Sequence, residues 1–197
     1  MYKKFIPSLV CLAFAFIFLL ASNALTKSNY INSYPHLPAP IGQEKLLITS
    51  AGQSAEGMIA LNMAENLNLH VDYRPLALAT DLYDYKSVVI ILGYSPNGLA
   101  QTQRSFEEEK KRINALLAEA NNTNLPIILV HISGKFREED YTRQFIEDAI
   151  PYADYFIGLK ELSLTNEVIM KLKKNNVPTT LVNDVADMQI PFNSVFR

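Results

Sequence analysis

Tryptophan is absent from the 197 residues, cysteine occurs once, histidine three times and glycine seven times. The one cysteine, Cys11, lies inside an N-terminal apolar run, so a chain that loses this run carries no thiol. Disulfides, thiolate metal centres, Fe–S clusters and cysteine nucleophiles are then excluded. Excess positive charge is also missing: 18 basic residues face 20 acidic ones, a formal net charge of −2. That leaves no electrostatic footprint for nucleic acid. Neither G-x-G-x-x-G nor G-x-x-x-x-G-K-[ST] occurs, which removes the usual support for dinucleotide and P-loop nucleotide binding. His36, His70 and His131 share no H-x-x-E-H-type spacing, and no G-x-S-x-G elbow is present. No resident cofactor or metal is expected, and no repeat of about 20–50 residues is evident.

What is present begins with an export pattern. Lys3 and Lys4 precede a charge-free run from Phe5 to Ala21, and Ser22 and Ala24 stand at −3 and −1 of a cut after Ala24. A basic n-region, an apolar h-region and small residues at the cut make a secretory signal. The competing reading is an uncleaved anchor, since about 17 apolar residues is the lower limit for spanning a bilayer. Cys11 follows Val10 within the run, the wrong place and neighbour for a lipobox. Residues 1–24 are therefore read as signal peptide or anchor, 25–44 as a stalk spaced by Pro35, Pro38 and Pro40, and 45–197 as the domain. Loss of residues 1–24 removes Lys3 and Lys4 and takes the formal charge from −2 to −4. The chain left is long enough to hold itself together by core burial alone. The expected location is extracytoplasmic, with membrane contact only through an uncleaved N-terminal segment.

Beyond the stalk, apolar runs alternate with helical patterns. KLLITS (45–50), SVVIILG (87–93), PIILVHI (126–132) and YFIGLK (155–160) are continuous buried strands; LHVDYR (69–74) alternates, and TTLV (179–182) is an edge candidate. Helical spacing fills 54–68, 106–120, 138–149 and 165–175, with a weaker stretch at 189–196. On 106–120, Phe106, Ile113, Leu116, Leu117 and Ala120 face inward, while Glu107–Lys111 and Glu108–Arg112 make outer i,i+4 pairs. Such alternation predicts one α/β domain: a doubly wound parallel sheet, flavodoxin-like in order 2-1-3-4-5, with a possible sixth edge strand and helices on both faces.

Ligands of such sheets bind beyond the carboxyl ends of the strands, at the switch in strand order. After strand 1 the candidates are Ser50, Gly52, Gln53 and Ser54: Gly52 turns the chain, Ser54 suits an N-cap, and the helix start offers free N–H groups to a carboxylate or phosphate. The same residues could simply turn and cap the chain. After strand 3, Tyr94 offers a stacking surface and Ser95 lies near the strand end, whereas Pro96-Asn97-Gly98 reads as a turn. After strand 4, Ser133, Gly134 and Lys135 supply a hydroxyl, a flexible amide and a cation. Strand alternation puts His131 on the face of Leu129, the place of a satisfied half-buried histidine rather than of a base. Lys160, at the end of strand 5, could close the site or be solvated.

The strings LLITSAGQS (46–54), Gly98-Leu99, VHISGKFREE (130–139) and PYADYFIGLK (151–160) resemble domain-of-unknown-function family 6305, small exported bacterial proteins. The resemblance runs from about residue 45 to the end. It implies an extracytoplasmic α/β domain whose shared residues cluster at the strand ends, and it implies no activity. Two departures stand out: the loop after strand 3 is poorer in glycine at Asn97–Gln101 than is usual there, and Ala55 stands where proline usually follows the first loop. Ser50–Glu56 also resembles, loosely, the flavodoxin phosphate loop, one residue short and lacking a threonine.

Three functions follow. The leading one is a non-enzymatic domain binding a small polar or anionic molecule over Ser50, Gly52, Gln53, Ser54, Ser95, Ser133, Gly134 and Lys135. The second is a hydrolase pairing a strand-end serine with His131. The third is an envelope interaction module without a small ligand.

Overall fold

The computed structural model describes residues 33–133, 140–161 and 165–197, all within the compact unit Ile31–Arg197. Six parallel strands form one sheet: β1 (Leu46–Ala51), β2 (Val71–Tyr73), β3 (Ser87–Leu92), β4 (Ile127–His131), β5 (Tyr155–Leu159) and β6 (Thr179–Val182), in the order β2-β1-β3-β4-β5-β6. The expected doubly wound α/β sheet is present, sixth edge strand included.

The continuous apolar runs have a direct cause: every residue of β1, β3, β4 and β5 is buried. Alternation then sorts side chains between two cores. Leu47, Val88, Ile90, Leu129 and Phe156 face helix α3 (Phe106–Asn122), α4 (Asp140–Ala149) and α5 (Asn166–Lys174). Leu46, Ile48, Val89, Ile91, Val130 and Ile157 face α1 (Gly57–Asn66) and α6 (Gln189–Asn193). Each fully buried aliphatic or aromatic side chain stabilises by roughly 1.5–3 kcal/mol, so these two layers carry the fold without cross-links.

Four local expectations change. Ser54 is not the cap of α1: the helix opens at Gly57 with Glu56 in the N-cap position and no side-chain cap bond. Pro96-Asn97-Gly98 is not a bare turn but the start of a short helix, α2 (Pro96–Gln101). Ser95 caps it by accepting from the Gly98 N–H at 3.1 Å, and Pro96 sits where its missing N–H costs nothing. Glu108 does not pair with Arg112; it closes a capping box with Ser105, and Arg112 turns inward to Glu109. The fourth concerns the proline-spaced segment, which lies against the domain over 33–44. Tyr34 donates to the Thr179 carbonyl on the β6 edge, Leu37 is buried, and Ile41 and Gly42 donate to the Val195 carbonyl. Among the described residues, no helix is long and apolar enough to cross a membrane.

Candidate functional site

The switch in strand order falls between β1 and β3, and the loops leaving their carboxyl ends are zipped together by main-chain bonds. Gly93 N–H donates to the Ala51 carbonyl at 3.0 Å and Ser95 N–H to that of Gly52 at 2.8 Å, and Gln53 bridges Tyr94. This closeness demands glycine twice. Gly52 has φ of +92°, and a Cβ there would meet the Gly93 carbonyl oxygen at 2.6 Å; a Cβ on Gly93 would fall on Ser133 Oγ and lie 2.9 Å from Ser54 Oγ.

Behind the first loop stands a buried ion pair. Glu109 and Arg112, on the inward side of α3, are 0% and 6% exposed. Arg112 donates to both carboxylate oxygens of Glu109, at 2.8 Å from Nε and 2.7 Å from Nη2, and to the carbonyls of Ala77 and Ser50. Glu109 Oε1 also accepts from the Gly52 N–H at 3.2 Å and from Gln53 Nε2 at 2.8 Å. Gln53 Nε2 donates in addition to the Pro75 carbonyl at 3.0 Å. Burial alone would push the Glu109 carboxyl up; the bonds and charge of Arg112, helped by Gln53 and Gly52, outweigh it and hold the group below its ordinary value. The loop read as a cradle for a carboxylate therefore holds one, supplied by the chain's own helix.

The remaining candidates divide in the same way. Ser50 is fully buried and its hydroxyl makes only a long 3.5 Å contact to the Ser54 carbonyl. Ser133, also fully buried, donates to the Leu92 carbonyl at 3.0 Å. His131, 3% exposed, places Nδ1 3.0 Å from the same carbonyl oxygen, which requires that nitrogen to carry the proton. Ser95 is engaged as the α2 cap. Gly134 and Lys135 lie outside the described residues. Lys160 is exposed just past the end of β5.

Ser54 differs from all of these. It is 2% exposed, yet its Oγ has no hydrogen-bond partner among the described residues. The N–H groups of Ala55 and Gly57, leading into α1, meet no acceptor among the described residues, whereas that of Ser54 faces the Gly93 carbonyl across the Gln53–Tyr94 bridge. Beside this loop, Tyr94, Phe106, Tyr141 and Phe145 stack with centroid separations of 4.4–6.0 Å, and the Tyr94 N–H donates to Thr142 Oγ1 at 2.9 Å. Tyr94 is thus a member of a packed aromatic cluster; Tyr141, 42% exposed, presents the open ring.

Sequence reading missed Glu109 and Arg112, although a signal existed. Glu109 precedes Ile113 by four residues and Leu116 by seven, and Arg112 precedes Leu116 by four, so both sit on the apolar stripe. A charged pair on that stripe, three residues apart, is the mark of a buried ion pair. Among the described residues no three His, Cys, Asp or Glu side chains gather to hold a metal ion.

No curated protein and no solved structure matches the chain. Residues 43–196 match the family described as Domain of unknown function (DUF6305), and with a parallel α/β sheet over that same span the chain belongs to this family.

Proposed function

We propose that the protein is an exported domain that holds a small polar or anionic molecule over the start of α1, at the carboxyl edge of the sheet. One observation carries the reading: the buried hydroxyl of Ser54 at the β1/β3 switch point, unpartnered among the described residues. A buried donor without an acceptor costs about 1–3 kcal/mol, and a group kept at that cost beside the unbonded N–H groups of Ala55 and Gly57 is suited to complete its bonds with a ligand. The N-terminus of a ten-residue helix adds its positive dipole end. Gly52 and Gln53 act behind the site, fixing the loop on Glu109 rather than touching the ligand. Export rests on the n-region, apolar run and small residues of 1–24.

The hydrolase alternative has less support. His131 turns Nδ1 to the Leu92 carbonyl, Ser95 accepts from the Gly98 N–H as the α2 cap, and the Ser50 hydroxyl is directed at the Ser54 carbonyl.

Native mass spectrometry on protein purified from the exported fraction tests the proposal. The expected result is a mass lacking residues 1–24, with a bound species that Ser54→Ala loses. A clean apo mass, unchanged by phosphate, acetate or flavin mononucleotide, would overturn it in favour of an interaction module. Turnover of p-nitrophenyl acetate abolished by His131→Gln would reinstate the hydrolase.

A further inference from the structure

The opposite end of the sheet carries a second concavity. A cavity of about 500 Å³ opens where the chain enters β1, β3 and β4, at Gln43, Lys86 and Pro126. Its other walls are the 3-10 turn Ala79–Asp84 and the last turn of α3 around Glu119 and Asn124. It shares no residue with the carboxyl edge, and nothing said of Ser54 bears on it.

The polar side chains here are open. Gln43, Thr80, Tyr83, Lys86, Glu119 and Asn124 all line the cavity, and none of their side chains makes a hydrogen bond or ion pair among the described residues. Two other polar neighbours are engaged: Tyr85 donates its hydroxyl to Asp72 at 2.7 Å, and Thr123 Oγ1 donates to the Glu119 carbonyl at 2.9 Å. The floor is apolar, from Leu82, Leu125 and Pro126. Tyr83, 84% exposed, stands at the rim with its ring uncovered.

This inventory selects a chemistry. One ammonium and one carboxylate cancel, so the cavity does not favour a phosphate or a polyanion, which need several cations. Six polar side chains around it are too many for an acyl chain. Two amides, two hydroxyls, a carboxylate and an ammonium offer donors and acceptors in mixture, as a ring of hydroxyls requires. An exposed tyrosine ring gives the C–H face of a pyranose a surface to stack on while its hydroxyl stays wet. The volume falls within the range of pockets that bury a small ligand. We propose that this cavity is a carbohydrate subsite, sized for a mono- or disaccharide, with Tyr83 as the stacking platform and Glu119 and Asn124 bonding the sugar hydroxyls.

Saturation-transfer difference NMR on the intact protein, with maltose, cellobiose and N,N′-diacetylchitobiose at millimolar concentration, tests it. The absence of tryptophan allows a parallel titration by tyrosine fluorescence. At least one disaccharide is expected to bind saturably, and Tyr83→Ala and Glu119→Gln are each expected to weaken it about tenfold or more. Tyr83 is exposed and Glu119 half-buried without a side-chain bond among the described residues, so neither variant threatens folding. Ser54→Ala should leave this binding unchanged, which separates it from the carboxyl-edge site. The proposal is overturned if none of the three sugars binds, or if binding survives Tyr83→Ala and Glu119→Gln, or if it is lost in Ser54→Ala instead.

Discussion

The two ends of this sheet hold similar residue types in opposite conditions. At the carboxyl edge Ser50, Gln53, Ser95 and Ser133 are buried or engaged: three of them donate to main-chain carbonyls, Gln53 also to Glu109, and Ser95 accepts as a helix cap. At the amino edge Gln43, Thr80, Lys86, Glu119 and Asn124 keep their polar atoms open around a cavity. The difference comes from loop length and packing. Short loops zipped between β1 and β3 press their polar groups against the chain itself, so most of them take an internal partner. Entry segments at the other end spread apart, and solvent can satisfy theirs. A serine-rich, glycine-containing loop is therefore as much the signature of tight closure as of ligand binding, and Ser54 is informative because, unlike those serines, its hydroxyl has no partner among the described residues.

The sharpest break of this contrast comes from the ion pair. Glu109→Ala should cost about 3–5 kcal/mol in urea denaturation, because it leaves Arg112 buried and uncompensated. Replacing both residues by leucine and methionine should recover most of that loss. A loss below about 1 kcal/mol for the single variant would mean the carboxyl edge is not held from behind. Next in size is Gly93→Ala, whose methyl would fall on Ser133 Oγ; about 1–3 kcal/mol is expected, partly restored by adding Ser133→Ala.

Acid should reach the same lock. The Glu109 carboxyl is held below its ordinary 4.5 in the folded state, so its contribution is complete above that value and is lost as pH falls through the lower folded value. Glu44, bonded to the His70 N–H and to Arg197, and Asp72, bonded to Lys45 and Tyr85, are shifted the same way. Stability measured against pH should therefore fall below about pH 4.5 in the native chain, and less steeply in Glu109→Gln.

Smaller effects sharpen the comparison. Ser54→Ala should leave stability unchanged or raise it by about 1 kcal/mol, since it deletes an unsatisfied buried hydroxyl; a clear loss would show that the hydroxyl is bonded after all. Tyr83→Ala should alter thermal stability least, by less than about 0.5 kcal/mol, because the ring packs on almost nothing.

Much of the fold was legible in order along the chain. The runs at 46–51, 87–92, 127–131 and 155–159 read as strands because a sheet covered on both faces needs apolar residues at every position, and no helix pattern mimics that. The short edge strand β6 was legible as a β-branched edge candidate, TTLV. What failed was local and polar. Ser54 has the chemistry of a cap but lies three residues before Gly57, outside the helix it was to cap. Pro96-Asn97-Gly98 has turn chemistry that equally suits the first turn of a helix. Charge on α3 was sorted by i,i+4 spacing, which cannot tell a solvated pair from one turned under a loop distant in sequence.

Hydrophobic patterning by itself determined the class and the place of the strands along the chain, since burial of apolar surface is additive and local in sequence. The partners of the polar groups were decided only by tertiary structure. Arg112 meets Ser50 and Ala77, and Glu109 meets Gly52 and Gln53, across separations of 35–62 residues. A hydrogen bond is directional and short-ranged, so whether a side chain is open to a ligand or closed on its own chain is settled when those distant segments are brought within 3 Å of one another.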